Sequence, residues 1–352
     1  MRDEGKVIPM SRGRRAGTAA AGVPSPVFGS QLEERIRTLE EELARARADA
    51  DAGRDPGGEG LLVALARLVG AGREAVTWDS VARAWSAFYF SWHSEEVDEF
   101  GYDPKFTRRV MPLFEFLYTM WWRVEPSGVE HVPAEGAALL VANHSGVLPW
   151  DGLMVNLAVR HEHPARRECR MLALDMFALL PFLAPLLSQS GAVRANPENA
   201  ERLLRRGELV GVFPEGVKGV GKPYKERYKL ARFGRGGFVR LALRTGAPIV
   251  PCAVVGAEEV HPKIASMDWL GRPFGLPYLP ITPTFPALGP LGVVPLPTKW
   301  WIDFAEPVST AEYGPEGADD PILVNRLSET VRSTVQKMID ARLARRRSIW
   351  FG

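Results

Sequence analysis

Short apolar runs alternate with amphipathic segments from about residue 130 onward. The runs at 137–142, 209–213 and 249–255 have the length and composition of buried strands. Helices are predicted between them at 153–159, from the capping pair Asn196-Pro197, and at 237–244 before Gly246. This alternation predicts an α/β fold with a mostly parallel central sheet flanked by helices. In such sheets, ligands bind at the carboxyl ends of the strands.

Helical extensions are predicted on both sides of this region. Residues 1–30 are rich in Gly, Ala, Arg and Pro, a composition typical of disorder. Residues 31–52 predict a short coiled-coil helix, with self-association through 32–46, because the apolar positions follow heptad spacing. These positions are Leu32, Ile36, Leu39, Leu43 and Ala46. Residues 61–125 predict helices, and residues 320–352 predict an amphipathic helix that starts at Asp320-Pro321 and ends in a basic tail.

Aromatic residues in the extensions have two interpretations. One stripe at helical spacing contains Val81, Trp85, Phe88 and Trp92, and Trp121-Trp122 follows. Such a stripe either packs in a core or lies in a membrane interface, with tryptophans at the headgroup level. The basic segment 342–347, followed by aromatics, suits either an anionic bilayer or solvent. These patterns predict a peripheral protein on the cytoplasmic face of a membrane, and no run is long enough for a spanning helix.

Composition narrows the functional class. The 352 residues are 46% hydrophobic, enough for a large core, and the net charge of +2 gives no global attraction for nucleic acid. Cys169 and Cys252 are isolated, so neither a disulfide framework nor a Cys-based metal site is predicted, and a reducing compartment fits. The first residues lack an apolar segment, so no secretory signal is expected. His161 and His163 lack the spacing of a helical zinc motif, and no metal is predicted.

Candidate catalytic residues follow the first apolar run, 137–142. Asn143-His144 comes directly after it, and Asp151 stands a short distance beyond. A neutral imidazole can take the proton of a hydroxyl group as its oxygen attacks, and a carboxylate on the other ring nitrogen selects the required tautomer. Six residues separate His144 from Asp151, so the loop must bulge to join them, which Gly146 permits.

A second motif follows the 209–213 run. Phe213-Pro214-Glu215-Gly216 is succeeded by seven basic residues, namely Lys218, Lys222, Lys225, Arg227, Lys229, Arg232 and Arg235. A Glu-Gly turn beside such residues predicts a seat for a phosphorylated head, and Arg194 could bind phosphate bidentately. The run from Lys225 onward is equally typical of a solvated face. Glu258 and Glu259 are expected to face solvent.

The segment 216–222 also has the spacing of a phosphate-binding P-loop. Pro223, however, stands where that loop needs Ser or Thr for magnesium, which disfavours a nucleotide-dependent enzyme.

Four blocks in this order resemble the glycerolipid acyltransferase family. They are Asn143-His144 with Asp151, Gly191-Ala192-Val193-Arg194, Phe213-Pro214-Glu215-Gly216, and the apolar run Ile249-Val250-Pro251-Cys252-Ala253-Val254-Val255-Gly256. The resemblance covers roughly residues 130–260 and departs from the family in one respect, because four residues commonly separate the His and the Asp.

The resemblance implies an acyltransferase domain over 126–310 with a glycerolphosphate acyltransferase-like fold. It implies acyl transfer from acyl-CoA or acyl carrier protein to a hydroxyl of a lysophospholipid such as 1-acylglycerol-3-phosphate. These donors are co-substrates, so no bound cofactor is expected, and no covalent acyl-enzyme forms. His144 and Asp151 would be catalytic. Substrate binding would fall to Arg194, Phe213, Pro214, Glu215, Gly216, Lys218 and Lys222.

Two alternatives remain open. The longer His–Asp loop is similar to that of family branches with other acceptors, so the acceptor could be neutral: mono- or diacylglycerol, or a long-chain alcohol. A different class is a non-catalytic membrane adaptor joined through 32–46, which leaves the His–Asp pair without a role.

Overall fold

The computed structural model describes residues 97–145, 148–174, 183–267 and 279–352. The predictions of disorder for 1–30, of a coiled coil for 31–52 and of helices over 61–96 lie outside the described residues.

A seven-stranded sheet forms the centre of the described part of the chain, in the order β1-β9-β6-β2-β5-β3-β4. Its strands are β1 (Glu125–Ser127), β2 (Ala138–Ala142), β3 (Cys169–Ala173), β4 (Val193–Arg194), β5 (Leu209–Val212), β6 (Ile249–Val255) and β9 (Trp301–Phe304). The five strands from β6 to β4 run parallel, while β9 is antiparallel to β6 and pairs in parallel with β1. The predicted mostly parallel α/β sheet is therefore confirmed. A separate antiparallel pair consists of β7 (Ala265–Met267) and β8 (Leu279–Ile281).

Seven α-helices accompany the strands in the described residues. They are α1 (Pro104–Phe116), α2 (Trp150–Glu162), α3 (Leu183–Gln189), α4 (Pro197–Arg205), the short α5 (Val217–Val220), α6 (Gly237–Thr245) and α7 (Pro321–Arg345). Asn196 caps α4 by accepting a hydrogen bond from the backbone N–H of Asn199, and Asp320 caps α7 in the same way from Ile322. In each helix proline fills the first position, where no N–H is needed. Both predicted helix starts are confirmed.

The two faces of the sheet bury separate cores because side chains alternate along each strand. In β2, Leu140 and Ala142 pack toward α1 and α2, whereas Leu139 and Val141 pack toward α4, α6 and α7. The central strands are covered on both sides, which explains why β2 and β6 are apolar and buried at every position.

Tryptophan packing supports the core interpretation for part of the 61–125 region. Trp122 is fully buried and stacks on Trp300 with 4.7 Å between ring centroids, and its indole N–H donates to the carbonyl of Leu296. Phe116 and Met120, just before it, are exposed. None of the helices among the described residues has the length and apolarity needed to cross a bilayer.

The carboxyl-terminal basic segment is only partly free. Arg342 donates from Nε to Asp303 on β9 at 2.9 Å, and Arg346 binds Glu259 through both terminal nitrogens, with 2.9 Å for the Nη1 contact. The guanidinium of Arg346 also lies 5.4 Å from the ring centroid of Trp301. The expectation of a tail wholly in solvent or on a membrane is wrong for these two residues, because Asp303 on β9 and Glu259 in the turn after β6 bind them.

Candidate active site

The two sequence motifs meet at one edge of the sheet. β2 and β5 are parallel neighbours, with Val141 opposite Val212, so residues after each strand continue at the same level. The backbone N–H of His144 accordingly donates to Glu215 Oε1 at 3.1 Å. Both residues are buried at the carboxyl ends of the strands, where ligands bind in sheets of this kind.

Asp151 holds the imidazole of His144. Its Oδ2 lies 2.8 Å from His144 Nδ1 and accepts the N–H of Ser145, while Oδ1 accepts the N–H of Gly152. The carboxylate sits in the first turn of α2, whose dipole favours a negative charge. A carboxylate can only accept, so Nδ1 donates in this contact, and in the neutral ring Nε2 then carries the lone pair. The long spacing is closed because α2 begins at Trp150 and turns Asp151 back toward the ring.

Two further contacts fix this loop. The ring of Phe213 stacks on the imidazole of His144, with centroids 4.5 Å apart and 17° between planes. The side-chain amide of Asn143 donates to the carbonyl of Val254 at 2.9 Å and accepts its N–H at 2.7 Å. Asn143 thus continues the pairing of β2 with β6 after the strand has ended. No site role was predicted for Asn143, although its place beside His144 was the available signal.

Glu215 and Gly216 shape the second motif. Gly216 has φ of 56° and ψ of −141°, a conformation that side-chain-bearing residues rarely adopt, and it turns the chain from β5 into α5. Glu215 Oε2 accepts the N–H of Ala231 at 2.7 Å and lies 3.3 Å from Lys222 Nζ. Its carboxylate is thus occupied by the protein itself. Pro214, between Phe213 and Glu215, is partly buried.

The predicted phosphate-binding residues have different surroundings. Lys222 is only 8% exposed in its side chain, and its ammonium contacts Glu215, Glu258 and the carbonyl of Lys229. Lys218 is exposed on α5, and Arg194 is partly buried at the end of β4. Lys222 stands at the position of the P-loop lysine in 216–222, but its ion pairs with Glu215 and Glu258 direct it away from a nucleotide phosphate.

Glu258 and Glu259 correct an expectation. They were expected to face solvent, but the turn after β6 directs both inward, leaving them 8% and 2% exposed. Glu258 Oε1 accepts the N–H of Tyr228 at 3.1 Å and meets Lys222 at 3.3 Å. Burial raises the pKa of Glu258 to about 7, against the lowering effect of the Lys222 charge. Glu259 is bound by Arg346.

An apolar cleft, open to solvent on one side, lies beside the imidazole. Its walls include Pro149 and Leu153 of the α2 region, Met171 and Leu172 of β3, and Phe213, and His144 is the one ionisable nitrogen base among its described lining residues. Cys169 also lines the cleft, where burial raises the pKa of its thiol to about 12. That thiol is therefore protonated and a poor nucleophile. In the described ranges, no three His, Cys, Asp or Glu side chains are grouped as a metal site would require.

Comparison with known proteins identifies the family. Residues 123–255 match the family model described as Acyltransferase. An uncharacterized protein of Mycobacterium tuberculosis is 54% identical over 257 residues, spanning 73% of this chain and 72% of that protein. The human "DGAT1/2-independent enzyme synthesizing storage lipids" is 26% identical and covers 66% of each chain. Human 1-acyl-sn-glycerol-3-phosphate acyltransferase alpha is 29% identical over 45% of this chain and 54% of that protein.

A solved structure is also similar: the 1-acyl-sn-glycerophosphate acyltransferase of Thermotoga maritima, with a TM-score of 0.44 and 20% identity, covering 69% of this chain and 82% of that one. The match to the acyltransferase model spans β1 to β6 and contains both motifs that meet at the sheet edge. The chain belongs to the glycerolipid acyltransferase family.

Proposed function

We propose that this protein transfers a fatty acyl group from a thioester, acyl-CoA or acyl carrier protein, to the hydroxyl of a lysophospholipid such as 1-acylglycerol-3-phosphate. The observation that carries the proposal is the buried His144–Asp151 pair, 2.8 Å apart, at the wall of an apolar cleft. The pair supplies a base, and the cleft supplies a place for an acyl chain beside it.

The proton path follows from the tautomer. Nε2 of His144 takes the proton of the acceptor hydroxyl as that oxygen attacks the thioester carbonyl, and the carbon–sulfur bond breaks. Asp151 stabilises the imidazolium that forms, which then gives its proton to the departing thiolate. Such general base catalysis contributes about 10²- to 10⁴-fold to the rate.

The cleft is suited to the acyl chain rather than to the polar parts of the substrates. Apart from His144, its described lining is apolar with a few small polar groups such as Asn156 and Ser190. The polar head of the acceptor would therefore lie outside it, toward the Glu-Gly turn. There Lys218 is exposed, and Arg194 lies at the same sheet edge. We propose these two as the cations that meet the acceptor phosphate.

A neutral acceptor, mono- or diacylglycerol or a long-chain alcohol, is the second candidate. One observation favours it: Lys222, adjoining the motif, is bound by two carboxylates of the protein. A relative named for storage-lipid synthesis is consistent with it. We further propose that the protein works as a peripheral protein at the cytoplasmic face of a membrane. Phe116 and Met120, both exposed beside partly buried Trp121, are a surface for that contact.

The test uses purified protein and a radiolabelled acyl-CoA. His144→Ala should lower transfer by about 10²- to 10⁴-fold, while His161→Ala, at an exposed position of α2, serves as the matched control. Unchanged turnover in His144→Ala would end the proposal. Offering lysophosphatidic acid and diacylglycerol side by side separates the two acceptor classes, and preference for diacylglycerol would remove the phosphate roles of Lys218 and Arg194.

A further inference from the structure

Lys222 is surrounded by acceptors of the protein itself. An ammonium group has three N–H donors. Its Nζ lies 3.3 Å from Glu215 Oε2, 3.3 Å from Glu258 Oε1 and 3.3 Å from the carbonyl oxygen of Lys229. With the side chain 8% exposed, the ammonium has two hydrogen-bond acceptors and a second carboxylate of the protein around it, which disfavours a substrate phosphate there.

Both carboxylate partners of Lys222 are linked to the segment that carries His144. The other oxygen of Glu215 accepts the backbone N–H of His144 at 3.1 Å, so the position of this carboxylate sets the position of the loop that bears the imidazole. Glu258 follows β6, the strand to which Asn143 is clamped by two hydrogen bonds. The ammonium therefore joins the ends of β5 and β6 on either side of β2, the strand that carries His144.

We infer that Lys222 is a positioning residue for the proposed reaction: held between Glu215 and Glu258, it fixes the carboxylate that sets the backbone of His144. The inference rests on the proposed role of His144 as the base. It replaces the phosphate-binding role that the sequence predicts for Lys222.

The arrangement of Glu215, Lys222 and Glu258 depends on the positive charge of Lys222. Glu258 faces Lys222, Glu215 and Tyr228, and the Arg346–Glu259 pair lies on the adjoining residue. With Lys222 present, one cation serves two buried carboxylates. Without it, Glu215 and Glu258 repel each other once both are ionised, and Glu215 moves away from the N–H of His144.

The experiment measures kcat and KM for Lys222→Met at pH 7 and pH 9, with an anionic and a neutral acceptor. We expect kcat to fall by up to about 10²-fold, the scale of a 1 Å misplacement, with KM for either acceptor unchanged. The deficit should grow from pH 7 to pH 9, because Glu258 then ionises without its counter-charge. In the double variant Lys222→Met/Glu258→Gln the deficit should not grow. Lys225→Met, at an exposed lysine of the same loop, is the control.

Several outcomes would overturn the positioning role of Lys222. A higher KM for the anionic acceptor alone, with kcat unchanged, would make Lys222 a phosphate ligand and overturn the inference, as would a wild-type kcat. If Lys222→Met does not fold, Lys222→Arg keeps the charge but changes the donor geometry; positioning then predicts a lower kcat, and phosphate binding predicts wild-type values. His144→Ala is measured in parallel. If His144→Ala remains active, the proposed function fails. If His144→Ala is inactive and Lys222→Met keeps the wild-type kcat, only the positioning role of Lys222 fails.

Discussion

Gly219 offers a direct test of how closely the two motifs are packed. A Cβ added to this residue of α5 would lie 2.8 Å from the Cβ of His144 and 2.8 Å from the Cβ of Glu215. Real Cβ contacts are longer than 3.0 Å, and ordinary contact begins at 3.4 Å, so each gap must widen by about 0.6 Å. Both neighbours are Cβ atoms fixed to the backbone and cannot rotate away. Gly219→Ala must therefore displace His144, Glu215 or α5 itself.

The expected loss follows from that displacement. A shift approaching 1 Å at a catalytic group costs up to about 10²-fold in rate, and we expect kcat to fall by about 10- to 100-fold. Overpacking lowers the free energy of unfolding by about 1–3 kcal/mol, partly offset by the better helix propensity of alanine. Initial rates of acyl transfer and urea unfolding measure the two effects.

The matched control is Gly237→Ala. Gly237 is the first residue of α6, and an added Cβ would meet no atom within 4 Å. We expect wild-type kcat and unchanged or higher stability, by up to about 1 kcal/mol. Wild-type kcat and stability in Gly219→Ala would refute the reasoning, since the site would then have room that the structure does not give it.

Three more outcomes are expected. Asp151→Asn presents an amide N–H to the imidazole and favours the wrong tautomer, so kcat should fall by about 10²- to 10⁴-fold; a change within twofold would contradict this. For Glu258, the folded-state pKa of about 7 lies above the usual 4.5, so its contribution to stability is present at low pH and lost as pH rises through 7. Urea unfolding at a series of pH values should show that the free energy of unfolding of the wild type falls by about 3 kcal/mol more than that of Glu258→Gln between pH 4 and 8. The same pH dependence in both proteins would contradict this. Arg346→Ala leaves Glu259, 2% exposed, without its bidentate partner and should cost about 3–5 kcal/mol of unfolding free energy, whereas Arg347→Ala at the exposed neighbour should cost under about 0.5 kcal/mol.

The sequence predicts the parts of the fold that have strong local signals. The apolar run 249–255 coincides with β6, because a central strand buried on both faces is apolar throughout. The starts of α4 and α7 were equally visible, since a cap and a proline mark them. β1 was not predicted, because Glu125–Ser127 is a three-residue polar edge strand. Its pairing with β9 depends on residues some 176 positions away.

Only those site residues that directly follow a predicted strand could be placed at the site from the sequence. His144 and Glu215 follow two apolar runs, and parallel strands bring their ends together. The inward turn of Glu258 had no local signal, because its partner Lys222 lies 36 positions earlier. Glu259 likewise depends on Arg346, 87 positions later. Charged residues at a strand end are typical of solvent, and only the assembled fold supplies the opposite charges that bury them.

The shared level of His144 and Glu215 comes from the register of β2 and β5 alone, with Ala138 opposite Leu209 and Val141 opposite Val212. The residues that the structure describes between Asp151 and β5 supply most of the cleft wall yet do not set that level. Insertions or exchanges beyond Asp151 in this stretch can therefore change the shape of the cleft while His144, Asp151 and Glu215 keep their places. A single-residue deletion inside either strand would instead turn every following side chain of that strand to the opposite face and move His144 away from Glu215.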